Sequence, residues 1–256
     1  MITSTANAQV KDIINLIKKS GERKNRGLFV IEGIRMFKEI PHKYLHKIYV
    51  SESFAYDNGR LLTEYSFETV SDKVFAQMSD TKTPQGIMAV VKMPQYNIED
   101  IIAKENPLVV MLENIQDPGN LGTIVRTAEG AGATGIIMSK NTVDIYNPKT
   151  IRSTMGSLFR MPFVYADDIC ETIKLLDSKG INTYAAYLDG AVDYCKPDYT
   201  GGSAIIIGNE GNGLKEETAM LATKQIKIPM GGKLESLNAA VSAAIILYEA
   251  CRQRRI

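Results

Sequence analysis

Apolar and polar positions change period repeatedly along the chain. Val10, Ile13, Ile14 and Ile17 recur at helical spacing and predict a helix over Val10–Ile17. Leu28–Ile31 reads as a short strand, Gly33–Ile40 as a helix and Lys47–Val50 as a second strand. Val70–Met78 reads as a short helix and Ile87–Val91 as a strand, so the first third of the chain predicts a small α/β unit. From Leu108 onward the strands become continuous apolar runs. They are Leu108–Leu112, Gly135–Ser139, Phe163–Tyr165, Ile181–Ala186, Ser203–Ile207 and Gln225–Ile228. Helical patterns alternate with them over Gly122–Gly130, Pro148–Leu158, Ile169–Leu176, Lys215–Leu221 and a long final stretch, Leu237–Cys251. Apolar strands alternating with helices predict a parallel sheet covered on both faces. Between the two patterns, Pro94 and Pro107 bracket a polar segment in which Ile98–Ala103 has room for a turn of helix. The expected division is 1–93, a linker at 94–106, and 107–256. No repeat of fixed period is visible.

Composition narrows the class. The 256 residues are 45% hydrophobic and 23% charged, which is ordinary for a globular chain and excludes disorder as the main reading. Net charge is only +1, but its distribution is uneven. Residues 1–48 hold ten basic side chains against four acidic ones, leaving the rest slightly acidic. That asymmetry fits phosphate contacts made by the N-terminal part, and fits solvated helix faces equally well. Cys170, Cys195 and Cys251 are scattered, and His42 and His46 lie elsewhere, so neither a metal site nor a disulfide framework is indicated. No apolar run is long enough to span a membrane and no signal-peptide pattern opens the chain, which makes the cytoplasm the expected location.

The candidate chemistry lies in three loops that follow apolar strands, where open α/β sheets bind ligands. The first runs Glu113-Asn114-Ile115-Gln116-Asp117-Pro118-Gly119-Asn120 and on to Arg126-Thr127-Ala128. Its Asp117–Asn120 stretch reads as a turn ahead of a helix, with Arg126 about one turn in, able to grip a phosphate with its planar fork. A capped turn with a surface arginine is the plain alternative. The second, Gly208-Asn209-Glu210-Gly211-Asn212-Gly213-Leu214, lets backbone approach a ligand closely, yet it is neither a dinucleotide fingerprint nor a phosphate-binding loop. That absence counts against a nicotinamide-dependent oxidoreductase. The third, Pro229-Met230-Gly231-Gly232-Lys233-Leu234-Glu235-Ser236-Leu237-Asn238, ends with Ser236 as the expected N-cap of the last helix. Asn238, a poor helix former, reads as a contact residue. Loops two and three are apolar and rich in exposed backbone, which suits an adenosine moiety.

Together these loops resemble the SpoU class of the SPOUT RNA methyltransferases. Asn114–Ala128 resembles that family's N-x-x-D-P-x-N-x-G-x-x-x-R-T-A, Gly208–Leu214 its G-x-E-x-x-G-L, and Ile228–Asn238 its I-P-M-x-G-x-x-x-S-L-N, in the family's order. Ala239-Ala240-Val241 departs from the Val-Ser-Val that often follows. Arg23-x-x-Arg26-x-Leu28-Phe29-Val30-Ile31-Glu32-Gly33 and Thr83-Pro84-Gln85-Gly86-Ile87 are similar to the substrate-binding domain of two-domain 23S rRNA ribose methyltransferases. The resemblance implies an L30e-like N-terminal domain, a C-terminal domain with a deep trefoil knot, a homodimer, and S-adenosyl-L-methionine as cofactor without a metal. It implies methylation of a ribose 2′-hydroxyl, with 23S rRNA favoured. A tRNA substrate, base methylation and a non-catalytic RNA-binding protein on the same fold are the alternatives.

By match to the motifs, Gly208, Leu214, Ile228, Met230, Leu237 and Asn238 are expected to hold the cofactor. Asn120, Arg126, Glu210, Ser236 and Asn238 are expected to form the catalytic neighbourhood. Lys18, Lys19, Arg23, Lys24, Arg26, Arg152 and Ser157 are the expected RNA contacts.

Overall fold

The structure, a computed structural model, describes residues 1–255. They divide into two compact units, Met1–Gln95 together with Tyr146–Phe159, and Tyr96–Ile145 together with the chain from Arg160 onward. The segment Tyr146–Phe159 interrupts the second unit in sequence and packs with the first, where the ring of Tyr146 lies against Phe29.

The first unit runs α1 (Ala8–Lys18), α2 (Ser20–Arg26), β1 (Leu28–Glu32), α3 (Ile34–Lys38), β2 (Leu45–Ser51), α4 (Glu52–Asp57), α5 (Gly59–Leu62), β3 (Glu68–Val70), α6 (Asp72–Met78) and β4 (Ile87–Lys92). Its sheet has the order β1-β4-β2-β3, with β4 antiparallel to both neighbours and β3 parallel to β2. Asn7 caps α1 by accepting from the Gln9 amide, and the helix buries Val10, Ile13, Leu16 and Ile17. The stretch Val70–Met78 divides at Ser71 into the end of a short strand and a helix, because Val70 pairs with Ser51.

Helix α2 corrects one expected RNA contact. Arg23 is 3% exposed, and its Nη1 donates to the carbonyls of Leu16 at 2.8 Å and Ile17 at 2.9 Å. Those carbonyls lie in the last turn of α1, where helical partners run out. The guanidinium therefore closes a helix end and is withdrawn from any phosphate. Arg23→Ala is expected to lower stability by about 1.5–3 kcal/mol, the scale of hydrogen bonds to a charged group, read as a reduced urea midpoint at unchanged slope.

The second unit runs α7 (Ile98–Ile102), β5 (Leu108–Leu112), α8 (Pro118–Gly130) and β6 (Gly135–Ser139). After α9 (Pro148–Thr154), which belongs to the first unit, it continues with β7 (Phe163–Ala166), α10 (Ile169–Ser178), β8 (Asn182–Ala186) and β9 (Val192–Asp193). It closes with β10 (Ser203–Ile207), α11 (Glu216–Leu221), β11 (Lys224–Lys227) and α12 (Ala239–Arg254). Its sheet has the order β7-β6-β5-β10-β8-β11-β9, parallel throughout. Every residue of β5, β6 and β10 is buried, as covered parallel strands require. Among the described residues no helix is long and apolar enough to cross a membrane.

Three local boundaries differ from the sequence reading, each for a capping reason. The Asp117-Pro118-Gly119-Asn120 run is the start of α8, with Asp117 accepting from the Asn120 amide at 2.9 Å and Pro118 in the first turn. Arg126 consequently sits about two turns into the helix instead of one. Asn238, not Ser236, caps α12, its Oδ1 accepting from Ala240 at 2.9 Å and Val241 at 3.3 Å. Helix α9 stops at Met155 and Gly156, both with positive φ (51° and 92°), where a Cβ on Gly156 would meet Glu39. Ser157 follows in a 3₁₀ turn at 2% exposure, so it cannot serve the RNA contact expected of it.

Candidate active site

A cavity of 390 Å³ opens at the carboxyl ends of β8, β10 and β11 and is closed on one side by the start of α12. That volume lies in the range of sites for small ligands. Gly208, Leu214, Ile228, Met230 and Leu237, all expected to hold the cofactor, line it. Glu210 and Ser236 line it too. Tyr187, Leu188 and Asp189, following β8, form a wall that the motifs did not indicate, although the rule of strand carboxyl ends covers this loop equally.

The second loop has a defined form because its backbone folds on itself. Asn209 and Gly213 exchange main-chain hydrogen bonds of 3.0 Å, and the Asn209 Oδ1 accepts from the amides of Gly211 and Asn212. A Cβ on Gly208 would lie 2.3 Å from both Gly213 C and Leu214 N. Only glycine permits that approach, and it brings main-chain groups to the cavity wall.

Glu210 joins the loops. Its Oε2 accepts from the Gln116 amide at 2.9 Å, and its Oε1 accepts from the Asp117 amide and from Asn120 Nδ2, each at 3.0 Å. Asn120 Oδ1 in turn accepts from Asn238 Nδ2 at 3.0 Å. One chain of hydrogen bonds therefore runs from the second loop through Asn120 of the first to the third. Asn238 serves it with one end of its carboxamide while the other caps α12.

Burial pushes the Glu210 carboxyl upward, but donation from Asn120, Gln116 and Asp117 outweighs it and leaves the group below its usual 4.5. Because the folded value is depressed, the stabilisation is complete above the ordinary carboxylate value and is lost as pH falls through the folded one. Affinity for a ligand in the cavity is therefore expected to be flat from about pH 8 to about pH 5 and to fall only in stronger acid. In Glu210→Gln it is weaker throughout, as a calorimetric pH series would read.

Two residues outside the expected set brace this arrangement. Glu113 is 4% exposed; its Oε2 accepts from the Lys215 amide at 3.0 Å and its Oε1 from Thr218 Oγ1 at 2.7 Å, fastening the end of β5 to the start of α11. Asn114, held at φ 58°, presents its carbonyl to Asn209 Nδ2 at 2.7 Å and its Oδ1 to Ser139 Oγ at 3.0 Å. An acidic residue at the end of an otherwise wholly apolar strand was the available signal for Glu113.

Arg126 is exposed on α8 and, among the described residues, has no hydrogen bond or ion pair. It does not line the cavity, and neither do Asn120 or Asn238, which reach it through Glu210. The expected RNA contacts all belong to the first unit. Lys18, Lys19 and Lys24 are exposed there, Arg26 lies 3.6 Å from Asp12, and Arg152 lies 3.1 Å from Asp80. Among the described residues no group of His, Cys, Asp and Glu is placed to hold a metal.

The profile of the SpoU rRNA Methylase family matches residues 107–248, which contain all three loops. The chain belongs to the SpoU rRNA methylase family. An MRM3-like substrate binding domain matches residues 7–89. Relatives that match over nearly the whole chain agree. A 23S rRNA (guanosine(2553)-2′-O)-methyltransferase of Bacillus subtilis is 33% identical, covering 96% of this chain and 97% of that protein. A 23S rRNA (uridine(2479)-2′-O)-methyltransferase of Streptomyces viridochromogenes is 31% identical, covering 98% and 92%. The crystal structure of the SpoU methyltransferase AviRb from Streptomyces viridochromogenes in complex with AdoMet superposes with a TM-score of 0.88 at 29% identity, covering 97% of this chain and 98% of that one.

Proposed function

We propose that this SpoU-family chain transfers the methyl group of S-adenosyl-L-methionine to a ribose 2′-hydroxyl of RNA, with 23S rRNA as substrate. One observation carries the reading: the hydrogen-bonded line Glu210–Asn120–Asn238 ties three motif loops together beside a cavity of ligand size, while Arg126, on the same helix as Asn120, has no partner among the described residues. The cavity suits an adenosine with a short polar tail. It has apolar walls from Ile207, Ile226 and Ile246, close backbone at Gly208, and carboxylates at Asp189 and Glu235.

The bound cofactor supplies an electrophilic methyl group on a sulfonium. The residues of the chain then have three tasks: to hold the acceptor oxygen in line, to favour loss of its proton, and to exclude competing water. Glu210 is a poor proton acceptor, because its carboxyl is held below the usual range and both oxygens already accept hydrogen bonds. Its role is to position the loops. Arg126 offers a planar fork of N–H donors that matches a phosphate. It clamps the phosphate beside the target ribose and stabilises the 2′-oxyanion as the proton leaves to water. In the first unit, Lys18, Lys19, Lys24 and Arg26, with Arg152, hold the RNA backbone, so binding should weaken steeply with salt.

The reading extends to a homodimer, with Val241 and Tyr248, exposed at 46% and 51% on α12, as apolar surface for a second copy. It extends to an L30e-like first unit, a cytoplasmic location and a deep trefoil knot. The knot is supported by strand order: β10 enters between β5 and β8, and the chain then returns to β11 beyond β8. The test is methylation of 23S rRNA transcripts by the purified protein with labelled cofactor, followed by mapping of 2′-O-methyl positions. Absence of any 2′-O-methyl nucleotide would overturn the reading.

A further inference from the structure

The first unit contains a second cavity that the methyl-transfer reading leaves unused. It measures 740 Å³, and its lining lies wholly within residues 34–86. Phe54 and Phe75, both buried, are among the residues that line it. Asp57, Asp72, Gln85 and Arg35 supply polar groups, with Ser51, Ser53 and Asn58 beside them.

Gln85 belongs to the Thr83-Pro84-Gln85-Gly86 motif, and its orientation follows from its neighbours. Its Oε1 accepts from the Ile34 amide at 3.0 Å, which leaves Nε2 as a donor. Gly33 at φ 98° makes room, since a Cβ there would lie 3.0 Å from that same oxygen. Gly86 at φ 78° lets the strand pass Phe54 and Ser51, where a Cβ would approach each to 2.7 Å. Asp72 gives one oxygen to Ser53, accepting from its hydroxyl at 2.7 Å and its amide at 3.2 Å. Asp57 and Arg35 are exposed, and among the described residues neither has a hydrogen bond or ion pair.

Asn58 Nδ2 is already spent on the Phe54 carbonyl, so one amide donor, Gln85 Nε2, stands with two carboxylates, a poor receptor for a phosphate and a good one for a base edge. Unstacked bases in RNA are read on their Watson–Crick edges. Of the four, guanine alone presents an acceptor followed by two adjacent N–H donor groups. Uracil sets one donor between two acceptors, and adenine and cytosine place an acceptor beside their single amino group. We propose that this cavity holds one unstacked guanine of the RNA, with Gln85 Nε2 donating to O6 and the carboxylates of Asp57 and Asp72 accepting from N1–H and the 2-amino group. Arg35 then meets the adjoining phosphate. This rests on the RNA-methylating reading for its biological partner, but the pocket's chemistry is tested separately.

The test uses the full-length protein and guanosine, inosine, adenosine and uridine 5′-monophosphates, followed by amide chemical shifts. Guanosine monophosphate is expected to bind about tenfold tighter than uridine monophosphate, a ratio set by one good bidentate pairing, with shifts at Ile34, Ser53, Asp57 and Gly86. Inosine monophosphate, lacking the 2-amino group, falls between them. Asp57→Asn, which breaks no hydrogen bond among the described residues, and Gln85→Glu, which removes the donor, are each expected to abolish the preference. Both should raise KM for RNA about tenfold while leaving S-adenosylmethionine affinity unchanged. Equal binding of all four nucleotides, or an unaltered KM in both variants of an active enzyme, overturns the pocket. A guanine preference in a protein that methylates no RNA overturns the methyl-transfer reading and leaves the pocket standing.

Discussion

Arg126→Ala is expected to reduce methyl transfer by about 10²–10³-fold, the loss seen when one preorganised donor to a developing oxyanion is removed. Folding and cofactor binding should be untouched. The side chain is exposed, has no partner among the described residues and stays outside the cavity. Single-turnover methylation of RNA, run beside calorimetric titration with S-adenosylmethionine, separates the two effects. Arg126→Lys should recover little, because an ammonium keeps the charge but not the fork that grips a phosphate in two places. Near-normal turnover in Arg126→Ala would exclude both the clamp and any role of this residue in proton removal.

Gly208→Ala should act in the opposite sense, on binding before chemistry. The added methyl would lie 2.3 Å from the main-chain atoms of Gly213 and Leu214. Backbone cannot swing aside as a side chain can, so the loop must open, and overpacking of this kind costs about 1–3 kcal/mol. S-adenosylmethionine affinity is expected to fall by at least about tenfold, each factor of ten being about 1.4 kcal/mol. The melting temperature should fall with it. Gly211→Ala provides the control. It lies in the same loop, but its nearest neighbour would be 3.6 Å away, so affinity should hold. Equal behaviour of the two variants would show that the tight crossing at Gly208 does not shape the cavity.

The two corrected RNA contacts show where residue type misleads. Arg23 and Arg26 stand three apart in one basic run, and nothing in composition distinguishes them. Their fates differ because α2 turns Arg23 back onto the open carbonyls of α1 and leaves Arg26 at the surface beside Asp12. Ser157 reads as a polar helix residue only while the helix is assumed to continue. The left-handed turn at Met155 and Gly156 ends it and buries the hydroxyl. Asn238, read as a contact residue, meets Asn120 through its Nδ2, and its Oδ1 is also the cap that starts the helix in place of Ser236.

What the sequence determined by itself was local or repetitive. Apolar runs specified the parallel strands, because a strand covered on both faces has no place for polar side chains. The order and spacing of three Gly- and Asn-rich loops indicated the family, since few backbones need those residues at those offsets. Only the tertiary structure decided which side chains meet. Asn120 and Glu210 are joined at 3.0 Å across 90 positions of sequence, and Asn120 and Asn238 across 118. Glu113 is buried with both carboxyl oxygens accepting hydrogen bonds because Lys215 and Thr218 are brought to it from more than a hundred residues away. Such pairings depend on strand order, and strand order is set by how the whole sheet is covered, which no local stretch encodes.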